Sequence, residues 1–119
     1  MKKNIKIKRV YDEYSPNDGA RILIDRLWPR GVKKEDAHID EWMKDIAVSD
    51  SLRKWFNHDP EKWREFKKKF SAELSKNKNL CEELVNKGRT NITLIYSAKD
   101  EEHNNAVVLK DYLEKHFLS

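Results

Sequence analysis

The sequence predicts a small α/β domain with a mostly parallel, short sheet and flanking helices. Two strongly apolar stretches carry this reading. Ile22, Leu23 and Ile24 form an unbroken run, and Ile92 to Tyr96 reads ITLIY, as expected of strands covered on both faces. Between and after them lie segments with apolar residues at helical spacing. Strands that bracket a helical middle argue for stacked α/β layers. A length of 119 residues suits one domain over 1–119, enough for one core and too short for two.

Each element has its own signal. Ile5 to Tyr11 alternates apolar and charged residues, which reads as a half-exposed strand whose lysines suit a sheet edge. Tyr14 to Gly19, YSPNDG, is a turn. Ala20 to Gly31 begins as a buried strand and ends in a stiff turn, because Pro29 fixes its own φ and holds Trp28 extended. Residues 33–47 fit two periods, helical through Ile39, Trp42, Met43 and Ile46, or strand-like by alternation. Ser49 reads as the N-cap of a short helix carrying Leu52, Trp55 and Phe56. Asp59-Pro60 starts a helix whose stripe is Trp63, Phe66, Phe70 and Leu74. Another helix carries Leu80, Cys81, Leu84 and Val85, and Gly88 suits its stop. The last helix begins near Asp100 to Asn104 and buries Ala106, Leu109, Leu113 and Phe117.

Composition excludes several classes. Charged residues make up 39%, so the surface is densely ionic, while twelve aromatics supply core bulk and exclude disorder. The formal net charge of +4 favours anionic partners. A single cysteine, Cys81, excludes an internal disulfide and a cysteine zinc cluster, and its helical position predicts a buried, inert thiol. The first ten residues, MKKNIKIKRV, hold no apolar signal core, and no run approaches the roughly 20 residues of a membrane span. A cytoplasmic location and no membrane partner are therefore expected. Three glycines build neither a Walker loop nor a dinucleotide fingerprint.

Two strand ends carry chemistry-bearing side chains. After the first apolar strand come Asp25, Arg26 and Arg30; after the second come Ser97, Lys99 and Asp100, then His103, Asn104 and Asn105. If the two strands are parallel neighbours, both sets fall at one edge of the sheet, where open α/β sheets bind ligands. Arginines grip phosphate or carboxylate with a planar fork, and Lys99 adds a point charge. Asp25, His58 and Asp100 are the acid–base candidates. Each has a structural alternative: an Asp25–Arg26 ion pair closing the strand, a turn histidine, and a capped turn with its acids on a helix dipole. No spacing predicts a metal site. Lys67 to Lys69 read as a solvated face, with contact to a nucleic-acid backbone as the alternative.

Three stretches occur together in order: DRLWPRG at Asp25 to Gly31, SLRKWFNHDP at Ser51 to Pro60, and YSAKDEEHNNAVVL at Tyr96 to Leu109. With these the chain resembles the bacterial YeaO-like proteins of the domain-of-unknown-function family 488 (DUF488) from Val10 to Leu113. At Ala47-Val48-Ser49 the family pattern has proline in the middle, so the turn there departs from it. The resemblance implies a small cytoplasmic α/β domain and brings no known reaction. It marks Asp25, Arg26, Trp28, Pro29, Arg30, Gly31, Arg53, Trp55, His58, Ser97, Lys99, Asp100, Asn104 and Asn105.

The expected function is a pocket for an anionic small molecule, phosphate- or carboxylate-bearing, with nucleotide-like compounds among the candidates. Arg26, Arg30, Arg53, Ser97, Lys99 and Asn104 would hold the ligand. Hydrolysis or group transfer through Asp25, His58 or Asp100 is the accompanying catalytic expectation, and it calls for no cofactor. The alternatives are nucleic-acid binding through Arg53, Lys54 and Lys67 to Lys69, and a protein-interaction domain without catalysis.

Overall fold

The computed structural model describes residues 3–118. Strands β1 (Asn4–Arg9), β2 (Ala20–Leu23), β3 (Glu41–Trp42) and β4 (Asn91–Tyr96) form one sheet in the order β1-β4-β2-β3. Every pairing is parallel. The helices are α1 (Lys34–Ala37), α2 (Asp50–Phe56), α3 (Trp63–Ser75), α4 (Lys78–Val85) and α5 (Asn105–Phe117), with 3-10 turns at Pro16–Asp18, Lys44–Ile46 and Pro60–Lys62. The two apolar strands are direct neighbours, with Ile22 opposite Leu94 and Leu23 opposite Ile95. Their carboxyl ends therefore share one edge of the sheet.

Alternation along the strands sorts their side chains between two cores. Ile5, Ile22, Ile24, Ile92, Leu94 and Tyr96 join a cluster with residues of α2 to α5. Val10, Leu23 and Ile95 pack on the other side with Ala37 of α1 and the partly buried Trp28, Val32, Ile39 and Trp42. Coverage on both faces is what makes the β2 and β4 sequences so apolar. β1 is an edge strand, and it stops at Arg9, so Tyr11 lies beyond it and is exposed.

Capping chemistry sets the helix starts. Ser49 Oγ accepts the Leu52 amide at 3.2 Å, and Asp59 Oδ1 accepts the Glu61 amide at 3.0 Å with Pro60 at the first position. Phe66, Phe70 and Leu74 form the buried stripe of α3. Asn104 caps α5, one residue before the helix proper. Residues 33–47 follow neither period throughout: a one-turn helix at Lys34–Ala37 precedes the two-residue β3 and a 3-10 turn, and Ile39, Trp42, Met43 and Ile46 share no helix. Gly88 does not end α4, whose cap is Asn86; it lies against Asn91 and Ile92 instead. Cys81 is fully buried, and that burial pushes its thiol up to about 11.

One polar cluster sits under the sheet on the α1 side. Asp18, fully buried, receives Lys8 Nζ at 2.9 Å, Arg21 Nη1 at 2.5 Å and Lys6 Nζ at 3.3 Å. Arg21 is buried too and also donates to the carbonyls of His38 and Ala37, at 2.9 and 3.0 Å. Thr93 Oγ1 donates to the Asp18 carbonyl at 2.7 Å. The lysines of the edge strand thus serve as counter-ions to a buried acid. Gly19 follows with φ +66, and a Cβ there would lie 2.1 Å from the Asn91 carbonyl oxygen, so only glycine carries the chain from this turn into β2.

Burial alone would raise the Asp18 pKa, but the hydrogen bonds from Lys8, the Ser15 amide, Arg21 and Lys6 outweigh it. Its carboxyl is held well below the ordinary value of 3.8. Such a group stabilises the fold fully above that value and loses the contribution as pH falls below it. Asp18→Asn leaves Arg21 buried without its anion and costs about 3–5 kcal/mol in urea unfolding at pH 7. The variant also shows a shallower loss of stability below about pH 4 than the parent.

Candidate functional site

The first wall of the site begins where β2 ends. The Ile24 amide still pairs with the Ile95 carbonyl at 3.1 Å, and Asp25 follows at the sheet edge. Asp25 Oδ2 accepts the Ser97 amide at 3.0 Å and Ser97 Oγ at 2.7 Å, while Oδ1 accepts Asn105 Nδ2 at 3.0 Å. The Asp25 carbonyl takes the Trp42 indole N–H at 2.7 Å. Asp25 does not pair with Arg26. The Arg26 guanidinium donates to the Val48 carbonyl at 3.3 Å, so the turn before Ser49 supplies an anchor through its backbone. Beyond them the Trp28 indole N–H closes on the Val32 carbonyl at 2.7 Å, Tyr11 Oη donates to the Arg30 carbonyl at 3.0 Å, and Gly31 takes φ +76. These contacts fix the turn through its backbone and the Trp28 ring, and the Arg30 side chain is exposed.

The second wall is the chain after β4. Arg9 Nε donates to the Ala98 carbonyl at 2.8 Å and pins it. Asp100 folds the next turn: Oδ1 accepts the amides of Glu102 and His103 at 2.9 and 3.0 Å, and Oδ2 lies 2.9 Å from His103 Nδ1. The Glu102 amide first, then the His103 ring and amide, outweigh partial burial and lower the Asp100 pKa. Asn104 is buried; its Oδ1 caps α5 through the Val107 amide at 3.0 Å, and its Nδ2 donates to the Asp100 carbonyl at 2.9 Å. Both ends of its amide are therefore engaged within the wall.

The third wall is α2 and the turn after it. Arg53 pairs with Asp50 at 2.7 Å, with Lys54 on the same acid at 3.1 Å. Hydrogen bonds from Arg53 and then Lys54 lower the Asp50 pKa. Phe56 stacks on Phe66 of α3 at 4.1 Å. Asn57 and His58 both take left-handed backbone, with φ 47 and 55, so the chain reverses within two residues and brings His58 to the cavity. Glu73 of α3 accepts the Ser49 amide at 3.0 Å and also its hydroxyl, which fastens the start of α2 to α3.

A cavity of about 610 Å³ lies between these walls. All nine site residues read from the sequence line it: Asp25, Arg26, Arg30, Arg53, His58, Ser97, Lys99, Asp100 and Asn104. Four cations, Arg26, Arg30, Arg53 and Lys99, face two carboxylates that are both engaged in hydrogen bonds of the chain itself. Among the described residues, the Arg30 and Lys99 side chains meet no protein acceptor. The sequence reading understated His103, whose ring is held between Asp100 and the Trp63 ring, 5.2 Å away edge-on. Its spacing of three from Asp100 across a turn was the available signal. The Asp18 cluster and Glu73 had none, because their partners are distant in sequence.

Lys67, Lys68 and Lys69 are exposed on α3, away from the cavity. Lys67 lies over Trp63 at 5.7 Å and Lys69 over Trp55 at 4.4 Å. Among the described residues no group of three His, Cys, Asp or Glu side chains is placed to hold a metal ion, and no helix is long and apolar enough to cross a membrane.

Comparison with known proteins gives a consistent result. Residues 4–119 match the family model described as the inactive DUF488-N3 subclade. The chain is 44% identical over 111 residues to the uncharacterized protein YeaO of Escherichia coli strain K12, covering 92% of this chain and 96% of that protein. It is 36% identical over 109 residues to the uncharacterized protein Rv3073c of Mycobacterium tuberculosis strain H37Rv, covering 92% of each. No solved structure matches.

Asp25→Ala removes the acceptor of three donors at once. It costs about 2–3 kcal/mol in denaturant unfolding and speeds hydrogen exchange at the Ser97 amide, which loses its partner.

Proposed function

Starting from the premise that this chain belongs to the DUF488 family, we propose that its cavity binds an anionic small molecule, phosphate- or carboxylate-bearing, without turning it over. One observation carries this reading: the cavity's acids are used internally, while Arg30 and Lys99 are left for a ligand. A guanidinium and an ammonium beside each other suit an oxyanion, the first by its fork and the second by its charge. Arg26 and Arg53 each have one protein acceptor and keep further N–H groups for the same anion. The cavity sits outside the carboxyl ends of parallel strands, where open α/β sheets place ligands.

Two features favour binding over turnover. Asp25 has both oxygens occupied by donors, and Asp100 is held ionised at neutral pH, which makes it a poor acid and a weak base. The description of the matched subclade as inactive agrees with this. Proton transfer has one observation in its favour, the Asp100–His103 contact beside Lys99. Phosphate release from p-nitrophenyl phosphate that His103→Asn abolishes would favour that second reading.

A thermal-shift screen with phosphate, sulfate and small carboxylates tests the proposal. A ligand at about 100 times its Kd stabilises the fold by about 2.7 kcal/mol and raises Tm accordingly. Arg30 is exposed, so Arg30→Ala leaves the unliganded stability within about 0.5 kcal/mol while it weakens anion binding roughly tenfold. An unchanged melting curve across the screen would overturn the proposal.

A further inference from the structure

Resting on the anion-pocket reading, we infer that the ligand is an aromatic or heteroaromatic organic anion whose charged group meets Arg30 and Lys99 and whose ring meets Leu27 and Trp28. Charge alone does not account for this cavity. Leu27 is 69% exposed, more than any other large apolar residue among the described residues, and it stands in the cavity lining. A lone exposed leucine is ordinary, but one in a pocket wall offers apolar surface for a ligand to cover. Trp28, half-buried, lines the same space, while Phe56 and Phe66 border it as buried rings stacked on each other at an interplanar angle of 21°. Rings pack well on such surfaces in offset or edge-on contact.

Asn105 adds a polar edge. Its Nδ2 is tied to Asp25 Oδ1 at 3.0 Å, which fixes the plane of the amide. Its Oδ1 has no protein partner among the described residues, and the amide keeps a second N–H. An acceptor beside a donor in one fixed plane complements the edge of a heterocycle, the geometry by which asparagine reads adenine. The volume, about 610 Å³, exceeds what an inorganic oxyanion fills and lies within the range of organic ligand sites.

Isothermal titration of the full chain with paired probes tests this. The pairs are phenyl phosphate or adenosine monophosphate against inorganic phosphate or glycerol 3-phosphate, and benzoate against acetate. The expected result is that ring-bearing probes bind roughly tenfold tighter than ring-free ones in at least one pair. Leu27→Ser, at an exposed position, shrinks that ratio several-fold. Ratios near one in both pairs overturn the inference while the anion pocket stands. A ring preference that Leu27→Ser leaves unchanged overturns the place given to the ring. No binding of any probe overturns the anion pocket and this inference together.

Discussion

The site depends on a single carboxylate. Asp25 lies at the end of β2, and its hydrogen bonds reach Ser97 and Asn105, 72 and 80 residues away in the chain. Other contacts pin each segment to its own neighbours, but among the described residues these are the side-chain hydrogen bonds that join the segment after β2 to the one after β4. With them, Arg26 and Arg30 on one segment and Lys99 on the other are held on facing walls of one cavity. All three donors to Asp25 are uncharged, so neither Arg30 nor Lys99 is consumed in joining the two segments.

β2 carries an acid near each end, and the two are used in opposite ways. Asp18, just before the strand, is buried and gathers Lys6, Lys8 and Arg21. Removing a carboxylate from water is costly, and only this concentration of cations and hydrogen bonds keeps it charged. Asp25, just after the strand, is half-buried and gathers neutral donors. One acid anchors the sheet by spending nearby positive charge, and the other builds a site that leaves it available. A mixed, highly charged composition thereby places a buried acid ringed by three cations and a cavity lined by four at opposite ends of a short strand.

Much of this was legible in the sequence because it rests on local rules. Apolar runs over 22–24 and 92–96 mark strands covered on both sides, and Ser49 and Asp59-Pro60 mark helix starts through their own backbone chemistry. Seven of the nine candidate residues were read from their position beside strand ends, and the parallel pairing of β2 with β4 brings those together; Arg53 and His58, on and after α2, came from the family resemblance and the helix entrance at Asp59-Pro60. What escaped depends on distant partners. The neighbours Asp25 and Arg26 suggest an ion pair, yet Ser97, Asn105 and Val48 compete for them across the fold. Residues 33–47 satisfied two periods because the segment is too short and too broken for either to repeat. Gly88 looked like a helix stop, and its smallness is used instead for close approach to Asn91.

The anion pocket is tested most directly by where an anion meets the protein, and a ¹H–¹⁵N NMR titration of the full chain with inorganic phosphate measures that. It predicts saturable shifts at residues 25–31 and 97–105, including the Arg30 side-chain Nε–H, with little change at residues 67–69. Shifts centred on Lys67 to Lys69, or none at saturating phosphate, would contradict it.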